Sequence, residues 1–377
     1  MSVKIVKINK TSIGPAFEIN SVSMIKKSEK DIDIFDRYCE KYQKLPSVLP
    51  AVKRIIAIGD IHGDYDVAIK CFNAAKLIND DLEWLAKPPE TVVVQVGDQI
   101  DRCRPYKYKC EHPGATKNDE GSDIKVMELF TDLHVKASKK GGAVYSLLGN
   151  HELMNVLGNM NYVSYKGLEQ FKDYKDPENP DLKFSSGKEA RKFAFMPGNQ
   201  YAKFLGCTRQ SAIIIGSCMF AHAGMIPEFA RDMDILSKND FHKINHLVRK
   251  WLLGLINEEY IDKIVGSSRD SFFWTRVLGN IPKNISNKDP KCEAYLKPVL
   301  NLFNIGHMIV GHTPQFHINH SGINGTCSDT LWRVDNGASM AFSEFDPMMK
   351  DGDEPSAERK VQVLEILNDN EFNVLRI

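Results

Sequence analysis

Five short apolar segments of this chain are each followed directly by a turn that carries Asp, Asn or His. The segments, rich in β-branched residues and bounded by Gly, are typical of buried strands. They cover residues 55–58, 92–96, 143–148, 219–221 and 308–310, and the turns after them read GDIHG, GDQIDR, GNHE, HAG and GHT. Because ligands of layered α/β proteins bind at the carboxyl ends of strands, we expect these turns to converge on one site.

Strand-like segments alternate along the chain with segments whose apolar residues recur at helical spacing, which predicts a layered α/β domain. We predict residues 1–50 to be an N-terminal extension that packs on the core, with a strand at 3–8 and a helix near 31–43. Residues 51–377 contain no linker between two cores, which favours a single catalytic domain. The predicted helices and the strands of a terminal hairpin lie at 67–77, 124–135, 246–255, 361–366 and 371–375.

The charge balance excludes some partners. Lys plus Arg and Asp plus Glu number 49 each, so there is no global attraction to nucleic acid or to an anionic membrane. No segment approaches the roughly 20 apolar residues that a membrane span needs. The first ten residues lack the apolar core of a secretion signal. We therefore expect no nucleic-acid or membrane partner and a cytoplasmic location.

The eight cysteines are scattered without a CxxC pair, which predicts free thiols in a reducing, intracellular compartment. Cys103, Cys110 and His112 cluster in one polar loop, but a zinc site would need a fourth ligand and tighter spacing. We predict surface loops at 103–122, 173–187 and 279–289, the first at the rim of the site.

The residue types in the five turns suit a two-metal site. A carboxylate such as Asp98 can bridge two cations, which an imidazole cannot do. A single His at a strand end is more often a surface histidine, and Gly-Asp and Gly-Asn pairs are common in turns. Five such strand ends together favour metal binding, and mixed donors favour Mn, Fe or Zn over Ca or Mg. The candidate ligands are Asp60, His62, Asp98, Asn150, His222 and His312.

Two cations about 3.5–4 Å apart can hold a hydroxide between them and clamp a phosphate oxygen. The remaining task is to protonate the leaving group. His151 is adjacent to Asn150 yet not needed as a ligand, which suits a general acid. Asp101 is its natural carboxylate partner, and Arg102 offers a planar fork for phosphate oxygens.

The five turn motifs, in this order, resemble those of the phosphoprotein phosphatase (PPP) superfamily of metallophosphoesterases. Longer strings at 148–155, 195–198, 311–315 and 331–335, followed by Ser339, resemble the Shewanella-like protein phosphatases. The match runs from about residue 53 to residue 366. This resemblance implies an α/β calcineurin-like metallophosphoesterase fold, with two packed mixed β-sheets flanked by helices (an αββα sandwich).

The resemblance also implies roles for the site residues. One divalent ion would bind Asp60, His62 and Asp98, and the other would bind Asp98, Asn150, His222 and His312. We expect manganese first, with iron or zinc as alternatives. His151 with Asp101 would be the acid pair. Phosphate contacts would come from Arg102, Asn150 and a later arginine, for which Arg276 is the candidate.

The chain departs from eukaryotic serine/threonine members of the superfamily. Leu148 stands where they carry an arginine before GNHE, and Cys103 where they carry a glycine. Their substrate preference and regulatory subunits are therefore not transferred. The sequence predicts a phosphoprotein phosphatase that hydrolyses phosphomonoesters by attack of a metal-bridging hydroxide, with His151 as general acid. The alternatives are a dinucleoside polyphosphate hydrolase of the same superfamily and a catalytically silent binding protein.

Overall fold

The computed structural model describes residues 33–347 and 354–377. The chain divides into two compact units, residues 1–44 and residues 45–377. The first unit contains helix α1 (Asp33–Tyr38), within the predicted helical segment. The strand predicted at 3–8 lies outside the described residues. The packing of the N-terminal extension on the core stays a prediction.

The second unit is built on two mixed β-sheets, and its strands begin just after the first unit ends. The described strands are β1 (Val48–Leu49), β2 (Arg54–Ile58), β3 (Val92–Gln95), β4 (Ala143–Leu147), β5 (Arg209–Gln210), β6 (Ala212–Ile215), β7 (Cys218–Ala221), β8 (His307–Val310), β9 (Asn324–Thr326), β10 (Leu331–Arg333), β11 (Gln362–Leu367) and β12 (Glu371–Arg376). One sheet has the order β1-β6-β7-β8-β10-β9 and the other β12-β11-β2-β3-β4-β5.

Parallel pairing sets where the turns lie. Strands β2, β3, β4 and β5 pair in parallel in one sheet, and β7, β8 and β10 do so in the other. Neighbouring parallel strands end at the same edge of their sheet, so the turns that follow them lie side by side. The five predicted strands that lead into the turn motifs correspond to β2, β3, β4, β7 and β8, each within one residue at either end.

Helices cover the outer faces of both sheets. The described α-helices of this unit are α2 (Tyr65–Ala74), α3 (Asp123–Ser138), α4 (Asn150–Val156), α5 (Tyr165–Glu169), α6 (Gly187–Phe195), α7 (Gln200–Thr208), α8 (Pro227–Asp232), α9 (His242–Leu252), α10 (Asp262–Val265), α11 (Lys297–Phe303) and α12 (Gln315–Ile318). The three predicted helices correspond to α2, α3 and α9, and the predicted terminal hairpin is β11 with β12. No helix in the described part of the chain is long and apolar enough to span a bilayer.

The alternation of side chains along the strands assigns each face of a sheet to a layer. In β2, Ala57 packs between the sheets in one cluster with Phe220 of β7. Its neighbour Ile56 points the other way and packs with Phe72 of α2 and Phe130 of α3. The outer face of the other sheet packs against helices that include α9 and α11. This layering confirms the predicted αββα sandwich.

The cysteines correct one prediction. The structure pairs Cys103 with Cys110 and Cys292 with Cys327, each with Cα atoms 5.8 Å apart. Free thiols were the wrong expectation at these four positions, so the inference of a reducing compartment loses this support. The physical reason is that folding brings together cysteines whose spacing along the chain follows no motif. Cys71 and Cys218 are buried free thiols, as predicted.

Candidate metal centre

The candidate site lies where the turns after five strands meet. Four of its predicted residues take a left-handed backbone conformation: His62 (φ 48°), Asp98 (φ 54°), Asp101 (φ 73°) and His312 (φ 66°). Outside glycine this conformation costs roughly 1–3 kcal/mol per residue and persists only where the surrounding structure imposes it. The turns after β2, β3 and β8 are therefore held in place by their neighbours.

The carboxylate of Glu152, on α4, holds the turn after β3. Its Oε1 accepts hydrogen bonds from the backbone N–H groups of Gln99 (2.8 Å) and Ile100 (3.3 Å). Its Oε2 accepts from those of Asp98 (3.0 Å) and Gly149 (2.6 Å). Glu152 is fully buried, so these four donors replace its hydration. This residue, to which sequence reasoning gives no role, joins two of the predicted metal-binding turns.

Gly149 permits the close approach of the same two turns. A Cβ atom at this position would lie 2.1 Å from Oδ1 of Asp98 and 2.3 Å from its backbone nitrogen. The backbone N–H of His151 donates to that Oδ1 at 2.9 Å. One oxygen of Asp98 is thus occupied by the backbone, which leaves Oδ2 to face the imidazoles.

Oδ2 of Asp98 lies between two groups of donor atoms. It is 3.3 Å from Nε2 of His222 and 3.8 Å from Nε2 of His62. Atoms that could hold a metal ion cluster as His62, Asp98 and His151 on one side and as Asp98, His222 and His312 on the other. Asp98 belongs to both clusters, which is the position that a bridging ligand requires.

Lone pairs converge around His222. Its Nδ1 lies 2.9 Å from the carbonyl of Val96 and donates to it, which leaves the Nε2 lone pair facing the site. That Nε2 is 2.8 Å from Oδ1 of Asn150 and 3.1 Å from Nδ1 of His312. Nε2 of His312 faces the carbonyl of Trp274 at 3.2 Å. Acceptor atoms this close repel one another unless a proton or a cation lies between them, so the donor set fits a divalent cation.

The buried carboxylate of Asp60, beside His62, also fits a nearby divalent cation. Nε2 of His62 lies 3.9 Å from Oδ2 of Asp60. Burial raises the pKa of Asp60 well above its ordinary value, and the carboxylates of Asp335 and Asp98 raise it further. A divalent cation beside Asp60 would oppose both effects, because it stabilises the ionised form.

At Asp98, His62 and His312 the electrostatics favour the protonation states that metal ligands need. Burial opposes ionisation of Asp98, but the imidazoles of His222, His151 and His62 outweigh it and hold the pKa of Asp98 well below its ordinary value. Burial would lower the pKa of His222, and the Asp98 carboxylate raises it instead. Burial lowers the pKa of His62 and of His312 well below the ordinary value. Asp98 is thus anionic while His62 and His312 are neutral near pH 7, as metal ligation requires.

Asp335 is a sixth strand-end residue, and sequence reasoning gives it no role. It follows β10, which pairs in parallel with β8. Asp335 is 1% exposed, and its Oδ2 has no hydrogen-bond partner among the described residues. Burial raises its pKa to about 6. Part of the signal was present in the sequence, because Leu331, Trp332 and Val334 precede Asp335, but Arg333 interrupts the apolar run.

His151 and Asp101 form a buried pair beside the metal-binding turns. Nδ1 of His151 lies 2.8 Å from Oδ2 of Asp101. Nε2 of His151 therefore faces the site, 3.9 Å from Oδ2 of Asp98. Its ring lies edge-on to that of His62, with centroids 4.9 Å apart. The geometry allows Nε2 to deliver a proton and also to approach a cation at His62, so the acid role stays a prediction.

The two predicted phosphate-binding arginines lie in different environments. Arg102 is 1% exposed, and its Nη1 donates to Asp64 and to Oγ of Ser339. Arg276 is exposed, and its Nη1 donates to the carbonyl of His312 at 3.2 Å. Arg276 thus stands at the rim of the site, whereas Arg102 is enclosed by protein.

A third arginine, Arg104, reaches the site from the loop after the second motif. Its Nη2 lies 2.7 Å from Nε2 of His62. No motif marks Arg104, so sequence reasoning missed it.

The structure brings together all the predicted ligands with the predicted acid pair, and their individual roles stay predictions. These residues are Asp60, His62, Asp98, Asn150, His222, His312, His151 and Asp101.

The chain is similar to several known proteins. The chain matches the calcineurin-like phosphoesterase family over residues 53–316. It is 42% identical over 261 residues to uncharacterized protein R398 of Acanthamoeba polyphaga mimivirus, which covers 66% of this chain and 98% of that protein. It is 28% identical over 320 residues to Shewanella-like protein phosphatase 2 of Arabidopsis thaliana, which covers 78% of this chain and 73% of that protein.

Among solved structures, the chain is similar to the cold-active protein-tyrosine phosphatase of a psychrophilic Shewanella species. The TM-score is 0.59 at 20% sequence identity, and the match covers 89% of this chain and 83% of that one. This similarity shows the fold. The named sequence relatives confirm the resemblance to the Shewanella-like branch that the motifs indicate.

Proposed function

Because the chain belongs to the calcineurin-like phosphoesterase family, we propose that it is a metal-dependent phosphoprotein phosphatase that hydrolyses phosphomonoesters. The observation that carries the proposal is the position of Asp98. Its Oδ2 lies 3.8 Å from Nε2 of His62 and 3.3 Å from Nε2 of His222. A carboxylate shared by two donor clusters suits the paired cations of phosphatases, which clamp the attacking and leaving oxygens of an in-line displacement.

The donor set indicates which residues would hold the cations. One would bind Asp60, His62 and Asp98, and the other Asp98, Asn150, His222 and His312. Manganese is our first choice, with iron or zinc as alternatives, because carboxylate, amide and imidazole donors are mixed. When bound, the pair supplies Lewis acidity toward phosphate oxygens and a nucleophile near neutral pH.

The protein's own side chains complete the reaction. His151 donates a proton from Nε2 to the leaving oxygen, since its Nδ1 is engaged by Asp101 at 2.8 Å. Asp101 orients the ring and stabilises its protonated form. Arg276, exposed at the rim, would bind phosphate oxygens.

Named relatives support a phosphoprotein as the substrate class. The proteins from Arabidopsis thaliana and Plasmodium berghei carry the name Shewanella-like protein phosphatase. The second is 26% identical over 292 residues, which covers 76% of this chain and 67% of that protein. The names of these relatives are our reason to prefer phosphoproteins to nucleotides as the substrate class.

The test is hydrolysis by chelator-stripped protein after reconstitution with Mn²⁺, Fe²⁺ or Zn²⁺. Substrates are p-nitrophenyl phosphate, phosphopeptides carrying phosphoserine, phosphothreonine or phosphotyrosine, and diadenosine tetraphosphate, compared by kcat/KM. We expect metal-dependent turnover with a preference for phosphopeptides. A higher kcat/KM for diadenosine tetraphosphate would identify a dinucleoside polyphosphate hydrolase. No hydrolysis of any substrate with any of the three metals would identify a catalytically silent binding protein.

Asp98→Asn is the matched variant for the site itself. Removing one carboxylate oxygen charge should lower the bound metal from about two ions per chain and abolish turnover. Asp329→Asn, in a turn before β10, is a control that changes the same charge away from the site. Full retention of both ions by Asp98→Asn, measured by elemental analysis, would count against the bridging carboxylate.

A further inference from the structure

We propose that Arg104, which no motif marks, contacts the substrate phosphate, in addition to the contact proposed for Arg276. This inference rests on the proposed function, because it names a residue that binds the substrate of the same site. The guanidinium groups of Arg102 and Arg104 differ in their hydrogen-bond partners and in their solvent exposure.

The terminal nitrogens of Arg102 bond to the protein, whereas its buried Nε has no hydrogen-bond partner among the described residues. Its Nη1 donates to the carboxylate of Asp64 and, at 3.1 Å, to Oγ of Ser339. Its Nη2 donates to the carbonyl of Asn118 at 3.3 Å. Asp64 caps helix α2 and also accepts the N–H of Met340 at 2.8 Å. Arg102 therefore links α2 to the 3₁₀ segment that begins at Met340, which is a structural task.

Arg104 is half-buried and directed into the site. Its Nη2 lies 2.7 Å from Nε2 of His62 and 3.0 Å from its Nδ1. Its guanidinium carbon lies 4.7 Å from the ring centroid of Phe342 and 5.5 Å from that of Tyr162. These aromatic rings also surround the imidazoles, since Phe342 packs edge-on to His62 and Tyr162 to His151. Arg104 thus shares the walls of the candidate metal centre.

The loop that carries Arg104 is anchored close to this side chain. The N–H of Cys103 donates to the carbonyl of Tyr162 at 3.0 Å, and Cys103 is joined to Cys110. Nη1 of Arg104 donates to the carbonyls of Asp101 (3.1 Å) and Cys103 (2.9 Å). A guanidinium held on one side presents its other nitrogens in a fixed orientation, which suits bidentate recognition of phosphate.

A metal ligand and Arg104 compete for the same lone pair. If His62 binds a cation through Nε2, Nη2 of Arg104 loses that acceptor while Nη1 stays bound to the backbone. A charged donor left without a hydrogen-bond partner is unfavourable in a buried site. The oxygens of a phosphate drawn to the same cations supply the missing acceptors. Metal and phosphate together therefore satisfy Arg104, whereas metal alone does not.

The experiment measures Mn²⁺ affinity and inorganic phosphate affinity by titration calorimetry on the full chain. Arg104→Met should weaken phosphate binding to the Mn²⁺-loaded protein by roughly 10- to 100-fold, the effect of a lost charged hydrogen bond. The same variant should bind Mn²⁺ at least as tightly as the wild type, because a competing cation is gone. Arg104→Lys should recover part of the phosphate affinity, since it restores the charge without the planar fork.

Two further variants separate binding from folding. Arg102→Met should lower the melting temperature. Arg376 lies at the exposed end of edge strand β12, so Arg376→Ala should change neither the Mn²⁺ affinity nor the phosphate affinity. Equal phosphate affinity in Arg104→Met and the wild type would overturn the inference, and so would weakened binding of Mn²⁺ and phosphate together. If Arg104→Met does not fold, Arg104→Lys decides by the same two titrations. Metal-dependent phosphate binding without turnover would contradict the proposed function alone.

Discussion

Nδ1 of His151 lies 2.8 Å from Oδ2 of Asp101, and a buried network holds the aspartate from behind. Oδ1 of Asp101 accepts from Nδ2 of Asn155 at 2.9 Å, and Oδ1 of Asn155 accepts from Nε of Arg191 at 2.9 Å. Arg191, on α6, is fully buried and pairs with Asp123 at 2.7 Å. The orientation of the candidate acid is thus determined by a helix outside the metal-binding turns.

His151→Ala should lower kcat by about 10²- to 10⁴-fold, which is the usual contribution of a general acid. The loss should be smaller with p-nitrophenyl phosphate, because its leaving group needs less protonation. The measurements are steady-state kinetics with a phosphopeptide and with p-nitrophenyl phosphate, and elemental analysis of the bound metal. A variant that loses a metal ion would show that His151 is a ligand, in line with its proximity to His62 and Asp98.

Arg191→Met should lower the free energy of unfolding by about 3–5 kcal/mol, because it leaves a buried Asp123 carboxylate without its partner. The double variant Arg191→Met with Asp123→Asn should recover part of that loss. Urea denaturation of the wild type, both single variants and the double variant gives the coupling energy. Additive losses in the two single variants would mean that the pair is not coupled.

Glu152→Gln should destabilise the protein by roughly 1.5–3 kcal/mol, because an amide nitrogen would face backbone N–H donors that the carboxylate now accepts. It should also weaken metal binding, since the turn that carries Asp98 would be released. Urea denaturation and Mn²⁺ titration test both effects. Glu169, exposed at the end of α5, provides the control: Glu169→Gln should leave the free energy of unfolding nearly unchanged.

Asp335→Asn should stabilise the metal-free protein near pH 7. Below about pH 4 aspartate is protonated in the folded and unfolded states alike. As pH rises toward 6, the unfolded chain ionises while the folded one, with its pKa raised to about 6, retains the proton. The wild type therefore loses stability across this window, on the order of 2–3 kcal/mol, and the variant does not.

The difference in melting temperature between Asp335→Asn and the wild type, measured with chelator from pH 4 to pH 8, is the test. It should grow across the window and then level off. With Mn²⁺ present the advantage of the variant should shrink or reverse, because a cation favours the ionised carboxylate. A constant difference at every pH would mean that Asp335 does not titrate in this range.

Replacing Cys292 and Cys327 together by Ser should lower the free energy of unfolding by about 3–4 kcal/mol, since the bond closes a long loop in the unfolded chain. Urea denaturation of variant and wild type, without reductant, measures the loss. Peptide mapping of the unreduced wild type should recover Cys292 linked to Cys327 and Cys103 linked to Cys110. Recovery of free thiols at these positions would restore the expectation drawn from their spacing.

Local patterns were enough to predict the frame of the protein. The five strands, the three helices and the terminal hairpin follow from side-chain periodicity, which depends on neighbours in the chain. The turn after each strand carries its own site residue, such as Asp98 after β3 or His222 after β7. Because parallel strands end at one edge of a sheet, these local signals were sufficient to place the predicted ligands together.

Contacts between distant segments were beyond reach of such patterns. Arg102 and Arg104 stand two residues apart, yet packing encloses the first against Asp64 and directs the second toward His62. The pairing of Cys292 with Cys327 spans 35 residues. Periodicity and motif spacing carry no information on these contacts, since each depends on how loops and helices close around the sheets. The sequence by itself thus determined the fold class and the candidate ligands, and the tertiary structure decided which charged groups meet there.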